Sequence, residues 1–451
     1  MSDISLDDIA SLAKRRGFIY QGSEIYGGLA GTWDYGPLGV QLKRNISNLW
    51  WKTFVEDRED VYGVDAAILM NPKVWEASGH VSGFNDPLVE DLKSKKRYRA
   101  DHLLEDAGVE GVTSMTPDQM GAALKEHGIK SPDGNDLSDV RQFNMMFKTS
   151  IGATDDESGV VYLRPETAAG MFMNYKNVVD SFSPNMPFAL AQIGKAFRNE
   201  ISPRDFIFRV RELEQMEIEV FCHPDNWKEV FDLWLGRQKD FFLALGLPED
   251  KLHQIDVPAE DRAHYSKHSI DTEFDFPFGQ KELAGCAYRT DHDLNAHANA
   301  SSKNLLYRPK DGGEPFVPHV VEPTFGLDRL VLAVLSNAYS EDELNGEKRT
   351  YLKLPKHLAP VKACVSPLLK NKPELVAKAR EVFDMLKKEL GNVMWDDNGN
   401  IGKRYRRQDE IGTPACIVID FDTLEDGAVT VRDRDTAEQK RIAIDQLTNI
   451  L

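Results

Sequence analysis

The block FRNEISPRDFIFRVRELEQMEIEVF, residues 197–221, constrains the fold of this chain more than any other segment. It reads as a hairpin. A first strand carries Arg198 and Glu200, a polar turn contains Pro203 and Arg204, and a return strand carries Arg209 and Glu217. Side chains alternate faces along a strand, so 198 and 200 project to one side of the sheet, as do 209 and 217. The opposite face of the return strand carries Val210, Met216, Ile218 and Val220, which suit a core. Two arginines and two glutamates on one exposed face can hold a phosphate together with a base or an amine. The plain alternative is a surface hairpin with solvated salt bridges, the usual fate of such charges.

At 451 residues the chain is long enough for two or three domains, and its 41% hydrophobic and 28% charged content is that of an ordinary globular protein. Cys222, Cys286, Cys364 and Cys416 lie far apart with no CxxC pair, which points away from a disulfide framework or a zinc cluster and toward a reducing compartment. The N-terminal segment has no apolar h-region, and no run of 18 or more apolar residues occurs, so a cytoplasmic protein without membrane association is expected. A net charge of −18 argues against nonspecific nucleic-acid binding. It leaves room for local contacts at two basic patches, 93–99 (KSKKRYR) and 403–407 (KRYRR), each with a tyrosine among the cations. Cations beside an aromatic ring suit phosphates and unstacked bases; a solvated basic turn explains each patch equally well.

Along the chain, a short amphipathic helix is expected between 1 and about 22, then the glycine-rich stretch YGGLAGTWDYGPLG, then a helix over 41–55. The glycine stretch lacks the Gly-Lys-Ser/Thr ending of a phosphate loop. Residues 91–146 are polar and irregular, with a helical segment over 117–127 and a turn at SPDGND, and read as an inserted arm. From 160 onward strands dominate (VVYLRPE, FALAQIGKAFRN, RVRELEQMEIEVF, KELAGCAYR, HVVEPTFG), with a helix over 226–245 between them. Antiparallel-type strands with interspersed helices predict an α+β domain over 1–353. Prolines interrupt the pattern at LPKHLAP. Beyond them, strands and helices alternate as in a small α/β domain over 354–451. In EPTFGLDRLVLAVL a strand passes into a helix at Gly326. That places Arg329 beside a helix N-terminus, a setting that favours anions, unless a nearby carboxylate takes it.

FRNE, the turn, Arg209 and the distant GLDR together resemble motifs 2 and 3 of the class II aminoacyl-tRNA synthetases. YGPLGVQLKRNISNLWW, EASGHVSGFNDPLVED, YLRPETAAGMFMNY, KELAGCAYRTDHDL and PHVVEPTFGLDR narrow the match to the homodimeric glycyl-tRNA synthetases, and the last domain resembles their anticodon-binding domain. The resemblance implies an antiparallel-sheet catalytic domain that takes ATP, Mg²⁺, glycine and tRNA(Gly), working as a homodimer. Arg198 would hold the ATP α-phosphate, Glu200 would read the adenine amino group, and Arg209 and Arg329 would grip the γ-phosphate; these four carry the catalytic roles. Asn199, Phe208, Leu213 and Leu283 complete the nucleotide site, and Glu282 lies near the phosphates and their Mg²⁺. Glu166, Glu217 and Glu322 would gather around the glycine ammonium, Arg289 would meet its carboxylate, and Thr324 would border the pocket. Arg204, Lys403, Arg404, Arg406 and Arg407 are candidate tRNA contacts.

Glycine offers only an ammonium and a carboxylate, so its recognition rests on charge and on the absence of room. Several carboxylates around one ammonium give short, charge-assisted hydrogen bonds, and an added methyl is excluded by overlap. No editing domain is expected. The chain departs from the resemblance at three places: Leu213 stands where a phenylalanine usually lies against adenine (with Phe206 or Phe208 as substitutes), Thr324 where serine is common, and no proline closes motif 1 after the 41–55 helix. The arm lacks zinc-ligand cysteines, so no zinc is expected. Two other readings are a noncatalytic RNA-binding or accessory paralogue, which should have lost the charged set, and a synthetase for serine, threonine or proline, which would need a larger pocket or a zinc site.

Overall fold

In the computed structural model, residues 4–451 are described except 113–114, 153–158, 264 and 345. The first helix, α1 (Leu6–Arg16), is fixed at its start by a capping box between Ser5 and Asp8; residues 1–3, where the expected helix would begin, lie outside the described residues. Helix α2 (Pro37–Trp51) opens with proline at its first position, buries Leu42, Ile46 and Trp50, and runs into a π turn over Lys52–Glu56. It therefore starts earlier than 41. After β1 (Val61–Gly63) the chain builds the arm from β2 (Asn85–Glu90), β3 (Arg97–Arg99), α3 (Ala100–Asp106), α4 (Pro117–Glu126) and β4 (Arg141–Asn144), with strand order β3-β2-β4. The arm has a core of its own: Val89, Ala100, Leu104, Val112, Met120, Ala123 and Leu124.

The central sheet follows α5 (Ala168–Phe182). It contains β5 (Phe188–Phe197), β6 (Glu212–Cys222), β7 (Leu252–Asp256), β8 (His268–Phe276), β9 (Gly279–Thr290) and β10 (His319–Gly326), with α6 (Trp227–Ala244) after β6 and α7 (His292–Ser301) after β9. The seven-stranded order is β7-β8-β9-β10-β6-β5-β1, antiparallel throughout except that β1 runs parallel to β5. Strand β7 was not anticipated, because Leu252–Asp256 carries polar residues on both faces and gives no clean alternation; β8 does alternate, with Ile270, Phe274 and Phe276 on one face and Asp271, Glu273 and Asp275 on the other, and was missed all the same.

One face of this sheet is apolar. Met216, Ile218 and Val220 of β6 and Val321 and Phe325 of β10 pack with α2, α6 and the helix α8 (Leu327–Ala338) in the largest core, as the parity of the return strand predicted. The opposite face is covered at one end by α5 and α7 through Phe172, Tyr175, Phe188, Leu190, Phe221 and Leu294. Its other end is open, and there the polar residues of β6, β9 and β10 gather.

A hairpin of β11 (Tyr339–Leu344) and β12 (Glu347–Leu352) leads to the C-terminal sheet, and Leu354, Leu358 and Val361 between them join the large core. That sheet holds β13 (Ala363–Pro367), β14 (Val393–Trp395), β15 (Ala415–Ile419), β16 (Ala428–Asp433) and β17 (Gln439–Ala443) in the order β14-β13-β15-β16-β17. β13 is parallel to β14 and β15, while β16 and β17 are antiparallel. Helices α9 (Pro373–Leu390) and α10 (Ile401–Glu410) complete an α/β unit with its own core. No helix among the described residues is long and apolar enough to cross a membrane.

A buried ionic knot fastens this unit to the β11–β12 hairpin. Asp409 of α10 accepts from both Nη atoms of Arg432 at 2.8 and 3.0 Å and from Arg349 of β12 at 3.4 Å, and Arg349 also pairs with Asp342 and donates to the Arg434 carbonyl at 2.7 Å. Removing one member leaves buried charges without partners. Asp409→Ala is expected to lower stability by about 3–5 kcal/mol in urea unfolding, whereas a change within experimental error would show that the knot is dispensable.

Candidate active site

The open end of the sheet is a cavity of about 360 Å³. Glu166, Arg198, Glu200, Phe208, Arg209, Leu213, Glu217, Glu282, Leu283, Glu322, Thr324 and Arg329 all line it, so residues far apart in sequence converge on one space. The expected hairpin geometry is corrected in one respect. β5 ends at Phe197 and β6 begins at Glu212, so Arg198, Glu200 and Arg209 lie on the connecting loop and not on paired strands. Pro203 supplies no ladder donor, and Asp205 and Phe206 take φ of 58°, which no strand accommodates. Strand parity therefore cannot place these side chains; loop contacts do.

Those contacts come from the glycine-rich stretch. Arg211 donates its amide to Gly31 O at 2.8 Å, its Nη1 to Ala30 O at 2.6 Å, and its Nε and Nη2 to Glu200 O at 3.2 and 3.0 Å. Gly31 sits at φ 74°, and a Cβ there would lie 2.6 Å from Pro203. Only glycine lets the N-terminal segment lie so close to the loop. Arg211 was not singled out from the sequence, because its partners are carbonyls, and a sequence does not show which carbonyls fold back.

At one end of the cavity the cations are spaced and under-used. Arg198 donates Nε to Pro165 O at 3.1 Å, and its Nη atoms make no other hydrogen bond among the described residues. Arg329, in the first turn of α8, donates Nη1 to both the carbonyl and the carboxylate of Glu282, at 3.1 and 3.0 Å, and lies over the Phe208 ring at 4.5 Å. The Arg329 charge holds the Glu282 carboxyl below its ordinary range. Glu200 is buried, and its Oε2 has no hydrogen-bond partner. An orphaned buried acceptor of that kind is costly unless a ligand donor meets it. Phe206 packs edge-on against Trp33 and takes no part in the cavity wall, so Phe208 is the aromatic residue at this end. Asn199 is off the wall too, its amide tied to Met145 O at 2.8 Å.

The other end is anionic. Glu217 of β6 pairs with Thr324 of β10 across the ladder, and Gly285 of β9 pairs with Thr324 from the far side. The Glu217 carboxylate accepts from the Thr167 amide at 3.0 Å, from the Thr167 hydroxyl and from Gln215 Nε2 at 2.9 Å. Glu166 lies 3.4 Å from His80 Nε2. Burial pushes Glu166 up, but His80, Arg289 and Arg198 outweigh it and hold the carboxyl near 2. Burial and the neighbouring carboxylates Glu217 and Glu166, against Arg289, raise Glu322 to about 7. Burial first, then Glu166, raises Glu217 as well.

Arg289 is placed differently from the expectation. It is the extra residue of a β-bulge in β9 between Tyr288 and Thr290, which turns its side chain away from strand parity. There it is buried, forks onto Asp293 of α7 with two bonds of 2.8 Å, gives a third of 2.8 Å to Glu322, and stacks 3.7 Å from the Tyr265 ring. It stands behind Glu322 and not on the cavity wall. Sequence reading also missed His80, Thr167 and Glu219. Glu219 follows Glu217 by two residues on the same face and is fully buried with both carboxyl oxygens unpartnered; burial and then Glu322 push it far up. The period-two spacing of Glu217 and Glu219 was the available signal.

Two family models match the chain: the tRNA synthetase class II core domain (G, H, P, S and T) over residues 147–338, and the anticodon binding domain over 362–451. Curated relatives named glycine–tRNA ligase from Bacillus cereus and Clostridium tetani are 50% and 49% identical, each match covering 99% of this chain and 98% of the relative. The chain belongs to the glycine–tRNA ligase family. Among solved structures, Giardia lamblia prolyl-tRNA synthetase in complex with prolyl-adenylate shares the fold with a TM-score of 0.68 at 16% identity, over 98% of this chain and 75% of that one. Like other class II synthetases, this glycine–tRNA ligase family member has an α+β core on an antiparallel-rich sheet, followed by an anticodon-binding domain.

The basic residues of that last domain are redistributed by the structure. Arg404 is buried and spends its guanidinium on the carbonyls of Gly399, Pro367 and Asp397, which removes it from the candidate tRNA contacts. Arg407 forks onto Asp396 at 3.0 and 2.8 Å, and Arg406 reaches Lys348 O and Glu347 on the β11–β12 hairpin. Lys403 is exposed, as is Arg204 on the catalytic loop. In the arm, Lys95, Lys96 and Arg97 pair locally with Glu90 and Asp133, while Arg99 turns inward.

Arg289 holds two buried carboxylates at once. Replacing it by methionine leaves Asp293 and Glu322 without their cation, which costs about 3–5 kcal/mol at neutral pH. Glu322, already raised to about 7, would then titrate higher still, so the variant's stability falls as pH rises through that raised value and recovers in acid. The expected result is a melting-temperature deficit that is large at pH 8 and small at pH 5; a deficit independent of pH would contradict the ion-pair account.

Proposed function

We propose that this chain attaches glycine to tRNA(Gly) in two steps, ATP-dependent formation of glycyl-adenylate and transfer of the glycyl group to the tRNA terminal hydroxyl. The observation that carries this reading is the convergence of Glu166, Glu217 and Glu322 with Arg198 on one cavity. Its anionic end suits a small ammonium and its cationic end a polyphosphate. In the first step a glycine carboxylate oxygen bonds to the α-phosphorus, the bond to the bridging oxygen breaks, and pyrophosphate leaves. Arg198, on the cavity wall with its Nη atoms uncommitted among the described residues, stabilises charge growing on the α-phosphate, a contribution of about 3–4 kcal/mol for a fixed donor. Glu200, with its orphaned oxygen, takes the adenine amino group, and Arg209 and Arg329 take the outer phosphates. No side-chain nucleophile is needed; placement does the chemistry.

Glu282 would be the protein ligand of the magnesium ion that accompanies ATP. Mg²⁺ keeps few protein ligands and draws the rest of its octahedron from water and phosphate oxygens, and Glu282 stands at the phosphate end with Arg329 as its present partner. When bound, the metal neutralises charge on the departing pyrophosphate. Arg289 keeps Glu322 in place for the ammonium, and Thr324 sets the width of the pocket. A noncatalytic RNA-binding role is not favoured, because the whole charged set is present and assembled.

In this reading, residues 1–353 act as the catalytic unit and 354–451 as the anticodon-binding unit, with Arg204, Lys403, Arg406 and Arg407 as tRNA candidates. The enzyme works as a homodimer in the cytoplasm. Ile25 and Tyr26, 90% and 87% exposed, are apolar surface of the sort a second copy covers, and four buried free cysteines suit a reducing compartment. ATP–pyrophosphate exchange run with each of the twenty amino acids is expected to proceed with glycine alone; exchange with none, or with a larger amino acid in preference to glycine, would overturn the reading.

A further inference from the structure

The inserted arm grips the catalytic loop at several points. Met145, just past β4, accepts the Asn199 amide at 2.8 Å, Arg97 O faces the Ser202 hydroxyl at 3.4 Å, and the Arg198 guanidinium lies 5.6 Å from the centre of the Phe84 ring, just before β2. Arg99 of β3 lines the nucleotide end of the cavity, its guanidinium neutralised by Asp86 at 2.7 Å and by Asp101. One turn on, in α3, His102 Nε2 stands 3.4 Å from Arg209 Nη1.

That contact is the telling one. No carboxylate among the described residues forms an ion pair with Arg209, so its charge stays available to a ligand. A carboxylate in place of His102 would orient Arg209 but also neutralise it. A neutral imidazole orients without neutralising: one ring nitrogen accepts a single N–H and leaves four for phosphate oxygens. Burial, then Arg99, Arg209 and Arg204, against Asp101, hold the His102 ring down to about 4, so it is uncharged at neutral pH.

We propose that the arm completes the nucleotide end of the cavity, with His102 as a positioning residue that aims the Arg209 guanidinium at the phosphates. This rests on the assignment of the cavity to ATP. It gives the arm a part in the adenylation step, before any tRNA is bound. The mini-core of Val89, Ala100, Leu104 and Leu124 packs α3 against the rest of the arm, so His102 is presented from a packed helix and not from a loop.

The test compares His102→Ala with His102→Gln, whose amide oxygen can still accept from Arg209. Glycine-dependent ATP–pyrophosphate exchange and aminoacylation are measured on both and on the unaltered protein. The expected result for His102→Ala is a KM for ATP and for pyrophosphate raised at least about fivefold, with the KM for glycine and tRNA within about twofold; His102→Gln should recover most of the difference. The inference is overturned if ATP and pyrophosphate constants are unchanged in both variants, or if only the tRNA constant rises. It is also overturned if all constants shift together with glutamine no better than alanine, the mark of a structural prop. An unaltered protein without glycine-dependent exchange would overturn the proposed function itself and this inference with it, an outcome distinct from the others.

Discussion

A surplus of buried carboxyls around one arginine governs this structure. Glu217, Glu219 and Glu322 stand on one face of the central sheet, with Asp293 behind them and Glu166 alongside, and Arg289 is the guanidinium that joins Glu322 to Asp293. A buried cluster with more acids than cations cannot ionise fully. Burial and mutual repulsion push Glu217, Glu219 and Glu322 up while His80 holds Glu166 down, and the whole is poised to gain from one more positive group. In the proposed reading, an ammonium ion small enough to enter supplies that group.

The sheet can carry such a cluster because its two faces are separate chemical environments. Beneath lies the largest apolar core, with α2, α6 and α8 against Met216, Ile218, Val220 and Phe325. That packing fixes the register of β6 and β10, and register fixes which glutamates look upward. The catalytic loop is held from both sides, by the glycine-rich N-terminal segment through Arg211 and by the arm through Asn199, Ser202 and Arg209. These contacts, and not a strand ladder, place the loop residues at the cavity.

Much of this was legible in the sequence. The apolar parity of residues 216–220, the strand-to-helix passage at Gly326 and the alternating C-terminal elements all led to the observed architecture. Almost every candidate residue of the nucleotide and ammonium ends falls on one cavity. What was not legible depended on breaks in regularity. Arg198, Glu200 and Arg209 looked like strand residues, but Pro203 and the positive φ at Asp205 and Phe206 put them on a loop. Arg289 looked like a cavity residue, but a bulge turned it behind Glu322. The patch 403–407 read as a candidate nucleic-acid surface throughout, yet helical geometry sends Arg404 inward to carbonyls. A linear pattern shows charges; it does not show which of them the fold will consume.

The account stands on the claim that an ammonium is admitted against a partly protonated carboxylate cluster. Calorimetric titration of glycine at pH 7 in two buffers of different ionisation enthalpy reads this directly. With Glu322 titrating near 7, glycine binding should release on the order of half a proton, and Glu322→Gln should abolish most of that release. A binding enthalpy that does not depend on the buffer, or a release unchanged in Glu322→Gln, would contradict it.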